Sequence, residues 1–299
     1  MTARLPRTAV VLLAAALAGC APPVATQTRD GTMTPGGVTL VRADPAVLQQ
    51  CADFPVERAP RPIVLMGDSR IRVQGFTTDN AKIALMQGKL ALETTLPAGP
   101  STVEVNLTDG TFTLPAISAE QAYDVIVAAG DPGAVSDVSP APLRITKIAL
   151  GTAEFRTDRG RLTLPAWLFT AAESTQPLAV PMLAEAAFWR PGEPNLGEPG
   201  AASIAADGMT LTVQLMKTPD PCPGMPTEQF EAEVAESTTA VAIGLRLVES
   251  SPAATPGRRQ GGCLDDLVYR TQPYTVRLAR PLGNRVLVGR DGASAVTKG

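Results

Sequence analysis

Short runs in which apolar and polar residues alternate set the strongest limit on what this chain can fold into. Phe230, Ala232 and Val234 alternate with Glu231 and Glu233. The run Ser237-Thr238-Thr239-Ala240 then turns the chain, and Val241, Ile243, Leu245 and Leu247 alternate in reply. A period of two puts one set of side chains on one face of a strand, so this pair reads as two antiparallel strands with one buried face. Asp207-Gly208 opens a further run at 209–217, and 274–279 and 285–290 finish the pattern. Several short strands at regular spacing predict an all-β domain, sandwich- or barrel-like, over residues 204–293, with a short tail at 294–299.

The first half reads differently. Residues 118–130, SAEQAYDVIVAAG, carry the best helix pattern in the chain. Ser118 and Gln121 have capping-box spacing, Ala122, Val125, Ile126 and Ala129 share one face, and Gly130 is placed to stop the helix. Asp44 and Pro45 open a shorter helix in which Val47, Leu48 and Cys51 share a face. Residues 62–73 alternate well enough for a strand, and 81–96 fit helix or strand until Gly88 interrupts them. Val103, Val105 and Leu107 alternate ahead of an Asp109-Gly110 hairpin turn, and runs on either side of Asp158-Arg159-Gly160 predict another hairpin. Residues 44–188 thus read as an α+β domain with one or two helices on a mostly antiparallel sheet. The Pro/Gly-rich stretch 189–203 reads as a linker to the β domain.

The N-terminus reads as an address. Arg4 and Arg7 precede a short apolar core from Ala9 to Ala18. Spanning a bilayer takes about 20 apolar residues, so this core is too short, and residues 1–19 read as a signal peptide. The ending Leu17-Ala18-Gly19-Cys20 resembles the bacterial lipobox. That resemblance implies a diacylglyceryl group on Cys20, which becomes the new N-terminus, and two acyl chains suffice for stable anchoring. Residues 20–43 then form the lipidated cysteine and a Pro-, Thr- and Gly-rich tether. The expected location is the outer face of the cytoplasmic membrane.

Export allows disulfides. Once Cys20 is set aside, Cys51, Cys222 and Cys263 remain. One pair and one leftover is the simplest outcome. Cys222 and Cys263 both lie in Pro/Gly-rich loops of the β domain, where a bridge would contribute about 4 kcal/mol on the chain-entropy argument. Cys51 reads as a small buried hydrophobe.

Function is constrained chiefly by what is missing. The chain contains no histidine in 299 residues. Histidine is the commonest general base near neutral pH and the commonest metal ligand, so Ser-His-Asp and Cys-His chemistry is excluded and most zinc, copper and non-haem iron sites with it. Residues 62–73, PIVLMGDSRIRV, resemble the nucleophile segment of the GDS-type esterases, which would make Ser69 the nucleophile. That family pairs its serine with a histidine in an Asp-x-x-His motif. This chain has none, and Ile71 stands where a G-x-S-x-G elbow requires glycine. No catalytic residue is therefore assigned. Met216, Cys222 and Met225 form a soft-metal arrangement that a disulfide at Cys222 would remove, so no metal or cofactor is assigned. The net charge of −3 argues against a nucleic-acid partner. Acidic residues at 218–250 and arginines at 258–290 read as cross-strand partners on solvated faces, such as Glu233 with Arg277.

The last 90 or so residues add a second resemblance. Cys222, the strand ending at Glu236, Cys263, Thr275-Val276-Arg277-Leu278 and Pro281-Leu282-Gly283-Asn284-Arg285 resemble a small domain of uncharacterised exported actinobacterial proteins. The resemblance implies location and modular build, and no activity. The combined reading is a membrane-anchored extracytoplasmic lipoprotein whose folded part is a non-enzymatic binding or scaffolding module for an envelope protein or polymer. The alternatives are a histidine-independent envelope hydrolase, carboxylate- or Ser69-based, and a small-ligand-binding lipoprotein.

Overall fold

Alternating runs become strands wherever a partner run covers one face, and the result is a mostly β protein built from several sheets. The computed structural model describes residues 43, 45–67, 70–133, 139–190, 201–217, 227–251, 270–289, 292–293 and 295–298. The first sheet orders β1 (Leu90–Leu92), β4 (Leu143–Thr157), β5 (Gly160–Ala171) and β6 (Leu178–Pro181) side by side. Its spine is the β4–β5 hairpin, paired from Ile145↔Ala171 to Thr157↔Gly160. Gly160 closes the turn at φ +90, a conformation that favours glycine. A bulge between Ile145 and Lys147 shifts the facing parity of β4. Leu143 and Ile145 precede it and Ile148 follows it, and all three join the same core.

Two helices and one hairpin cover this sheet. Helix α2 (Asp79–Met86) is capped by Thr78, whose hydroxyl accepts from the Ala81 N–H, and α3 (Ala119–Ala128) carries the capping box formed by Ser118 and Gln121. Ala81, Ala84, Ala122 and Ile126 pack against Leu143, Ile145, Trp167, Phe169 and Leu178. The small alanines let the helices approach closely. Gly130 and Gly88 touch where the helices end, since a Cβ on Gly130 would lie 2.1 Å from the Gly88 nitrogen. Gly130 is thus fixed by that close approach as well as by its place after the helix. The hairpin β2 (Thr102–Leu107) and β3 (Gly110–Pro115) packs Val103, Val105, Leu107, Phe112 and Leu114 against Ala153, Phe155, Leu164 and Ala166. Its turn residues are Thr108 and Asp109, one position earlier than the sequence suggests, with Gly110 already paired to Leu107.

Two more four-stranded sheets form the second half. One orders β13 (Gly292–Ala293), β12 (Val286–Gly289), β10 (Ala240–Ser251) and β9 (Thr227–Glu236). The other orders β11 (Thr271–Arg277), β8 (Thr210–Met216), β7 (Ala201–Ile204) and β14 (Ala295–Lys298). They share a core of Leu211, Val213, Val241, Ile243, Leu278, Leu287 and Val296. Pro273 falls on β11, at the end of its sheet order, where a missing N–H is tolerated.

Several sequence expectations change. Residues 62–73 form no continuous strand: Ile63, Leu65 and Arg72 make isolated bridges to Phe188, Thr157 and Ala179. The open segment 81–96 divides into α2 and β1. Residues 295–298 are not a tail, because β14 pairs in parallel with β7 from Ala295↔Ala201 to Lys298↔Ile204. Most of the expected 189–203 linker lies outside the described residues, but Ala201–Ile204 form β7, and the Trp189 backbone N–H donates to the Ile63 carbonyl at 3.0 Å. Helix α1 (Pro45–Gln49) does not join the first sheet. Leu48, Cys51, Phe54 and Val64 pack instead on Ala240, Ala242, Val286 and Val288, the outer face of the β10–β12 sheet. Parallel pairing of β10 with β12 leaves two faces to cover, and alternation within β10 serves both.

Candidate functional site

Ser69, Cys20, Cys222 and Cys263 all lie outside the described residues, as do Asp68 and Met225. Cys51 is described and fully buried, and its thiol is pushed up to about 11, first by burial and then by the charge of Asp53. It is an unreactive core residue at neutral pH. Met216 ends β8. Among the described residues no group of three Asp, Glu or Cys side chains is placed to hold a metal ion.

The chemistry that the fold does assemble is built on arginines at the junction of the two halves. Arg61 is 7% exposed and Asp158 is 1% exposed. The Arg61 guanidinium donates to both carboxylate oxygens of Asp158, Nη1 at 3.1 Å and Nη2 at 2.5 Å. Its Nε donates to the Asn284 carbonyl at 2.9 Å, and its backbone N–H donates to Asp109 at 3.0 Å. The guanidinium also lies over the Phe54 ring, 4.8 Å from the centroid. One residue, through its side chain and its backbone N–H, therefore ties the tips of both hairpins to the loop before β12. The neighbouring Arg159 reaches the same loop, donating to the Gly283 and Arg285 carbonyls at 2.9 and 2.7 Å. Burial pulls Arg159 down to about 10, Asp158 opposes that pull, and Arg61 adds to it.

Arg285 forms the second cluster and is 6% exposed. Its guanidinium donates to Glu236 at 2.8 Å and to the carbonyls of Arg280 and Pro281 at 2.7 and 3.0 Å. The loop 280–285 thus folds around its own last side chain. Burial raises Glu236, but the Ala279 N–H and Arg285 outweigh it and leave the carboxyl below its ordinary value. A third cluster sits beside the Ser69 segment. Arg70 pairs with Glu185, donates to the Leu183 carbonyl at 2.7 Å and stacks over Phe188 at 4.5 Å. Its Nε is buried without a hydrogen-bond partner.

Each of these charges is occupied in joining elements of the fold. A buried arginine donates in several directions and keeps its charge, which suits it to bind carbonyl-rich loops. The expected pairing of Glu233 with Arg277 is not a cross-strand contact. The two residues belong to different sheets, with Glu233 opposite Gly244, and Arg277 pairs with Asp207 at 3.2 Å. The Asp207 carboxyl is held down at about 2, chiefly by the Thr210 and Met209 N–H groups. Sequence reading found the Asp158-Arg159 turn and missed Arg61, Arg285 and Glu236. The only signal was a single charged residue inside Pro- or Gly-flanked stretches, APRPIV and PLGNR. No protein-family model, no curated protein and no solved structure matches the chain.

Proposed function

We propose that this chain is an exported lipoprotein, anchored at the outer face of the cytoplasmic membrane through a diacylglyceryl group on Cys20. Its folded part acts there as a non-enzymatic binding or scaffolding module for an envelope protein or polymer. The observation that carries the reading is the leader ending Leu17-Ala18-Gly19-Cys20 after an apolar core too short to span a bilayer. Among the described residues no helix is long and apolar enough to cross a membrane. The non-enzymatic assignment draws on the missing histidine and on the structural engagement of Arg61, Asp158, Arg285 and Glu236.

The same reading divides the folded part into an α+β unit and a sandwich-like β unit bridged by Cys222 and Cys263. Support for the bridge comes from the strand ends that flank the two cysteine segments. The Lys217 N–H donates to the Arg270 carbonyl at 2.8 Å, and Thr227 lies opposite Ser251. At about 3.5 Å per residue, the chain from these ends reaches far enough for the two cysteines to meet.

The test is metabolic labelling with an alkyne fatty acid, followed by crosslinking in native envelopes. Label that is lost in Cys20→Ala, together with a discrete crosslinked partner, is the expected result. An unlabelled chain overturns the anchor. A chain that crosslinks to nothing while the purified protein turns over ester or glycan substrates overturns the binding module. Non-reducing peptide mass spectrometry should return Cys222 joined to Cys263, and a bridge containing Cys51 would refute that pairing.

A further inference from the structure

The loop 280–285 and the turn at 55–58 border a solvent-open pocket of about 250 Å³ lined by Val56, Glu57, Thr238, Arg280, Asn284 and Arg285, among others. Its walls are fixed by contacts that do not depend on any ligand. Arg285 holds the loop through the carbonyls of Arg280, Pro281 and Leu282. The Asn284 side-chain amide donates to the Val56 carbonyl at 2.9 Å, which joins the two walls. The Arg58 N–H closes the turn on the Pro55 carbonyl at 3.0 Å and so sets the place of Glu57. Arg280 is exposed, and one of its N–H groups donates to the Ser237 carbonyl at 2.8 Å, which orients the guanidinium along the cavity wall.

Arg285 is neutralised by Glu236, so the remaining charges of the cavity are Arg280 and Glu57. Both residues are described, and no ion pair joins them. A pocket that holds one cation and one anion, neither ion-paired among the described residues, is complementary to a ligand bearing both charges. A simple anion meets Glu57 and a simple cation meets Arg280, whereas a zwitterion satisfies each. Pockets for drug-sized ligands measure about 300–1,000 Å³. The volume here therefore suits one or two amino-acid residues.

We propose that this cavity binds the ammonium–carboxylate pair of a free amino acid or of a short peptide, with Arg280 on the carboxylate and Glu57 on the ammonium. A guanidinium already oriented by the Ser237 carbonyl meets a carboxylate with little loss of side-chain freedom. The site stands independently of the anchor, because it rests only on residues 55–58, 237–238 and 280–285.

Isothermal titration calorimetry on the purified full chain tests it, with L-alanine, L-alanyl-L-alanine, acetate and methylammonium as probes. Saturable heat from a zwitterion is expected, with binding at least about tenfold weaker for acetate and methylammonium. Alanine against the dipeptide distinguishes a free amino acid from a chain end. Arg280→Ala should abolish binding, and Glu57→Gln should reduce the zwitterion to the level of acetate. Both side chains are exposed, so thermal melting should change little. Thr238→Trp, which places a bulky ring in the pocket while keeping Arg280 and Glu57, should also abolish binding. The proposal fails if no zwitterion gives saturable heat up to about 10 mM, if acetate binds equally well, or if folded Arg280→Ala or Thr238→Trp binds like the parent.

Discussion

The sheet containing β4 and β5 and the sheet containing β10 and β12 each have two faces to cover, and they recruit different parts of the chain to do it. The first uses its sequence neighbours. Helices α2 and α3 lie on one face and the β2–β3 hairpin lies on the other, all within residues 79–128. The second uses the other sheet of the second half on one face, and α1 with residues 51–64 on the other. The residues that close the second sheet's outer face are therefore about 180 positions away in the chain. Local coverage can form early and alone. Distant coverage requires the chain to leave the second half, build the first, and return.

The Arg61–Asp158 pair stands where the chain makes that crossing, so breaking it should have the largest effect. Arg61→Ala leaves Asp158 buried without its partner and should cost about 3–5 kcal/mol of unfolding free energy in a urea titration. Replacing both residues with apolar side chains of similar volume should recover most of that loss, which would show that the pair specifies the junction more than it stabilises it. If Arg61→Ala melts like the parent, the two halves are not joined at this point.

Phe54→Ala sharpens the comparison. It removes a ring that packs edge-on to Trp189 at 4.9 Å and lies beneath Arg61, and it should cost about 3–5 kcal/mol. Hydrogen exchange should show the loss in β10 and β12 before it reaches β4 and β5. Equal loss of protection in both sheets would mean that the halves unfold as one unit. Gly130→Ala tests the locally covered sheet, because the added methyl meets Gly88. A cost of about 1–3 kcal/mol in thermal melting is expected. Ser118→Ala removes only the α3 cap and should cost about 1 kcal/mol.

Titration separates the halves most gently. In the second half, Asp207 and Glu236 have folded values below their unfolded ones. Their contribution is present above the ordinary carboxylate range and is lost as pH falls through the folded values, toward about 2 for Asp207. Cys51 acts in the opposite direction. Its folded value of about 11 exceeds the ordinary thiol value of 9.0, so its contribution is complete below 9.0 and is lost as pH rises toward 11. Melting temperature against pH should fall at both ends. An alkylating reagent should not modify Cys51 at neutral pH until the chain unfolds.

The legible parts of the fold were those governed by neighbours in sequence. The Ser118 capping box, the hairpin around Asp158-Arg159 and the reply of Val241–Leu247 to Phe230–Glu236 all follow from spacing, because cap, turn and alternation act over a few residues. Residues 62–73 misled because their apolar residues have two hosts. Ile63 faces the core of the first half and Val64 faces that of the second, so alternation there records two cores and not one strand. The ending 295–298 was too short to reveal a strand, since its pairing with β7 depends on where residues 201–204 lie. Arg61 and Arg285 were missed for a related reason. A buried arginine looks like a solvated one until the carbonyls that surround it are in place.

Residue type and local spacing alone were enough to specify helices α1 and α3, the Asp158-Arg159 turn, the β character of the second half and the absence of histidine chemistry. That the residues of helix α1 cover the β10–β12 sheet follows from the folded arrangement alone. So does the link that Arg61 makes from both hairpins to the loop 280–285, and so does the open pocket that Glu57 and Arg280 share. Each of these joins residues 48 or more positions apart, and their burial and complementary charges become physical facts only once the chain has closed on itself.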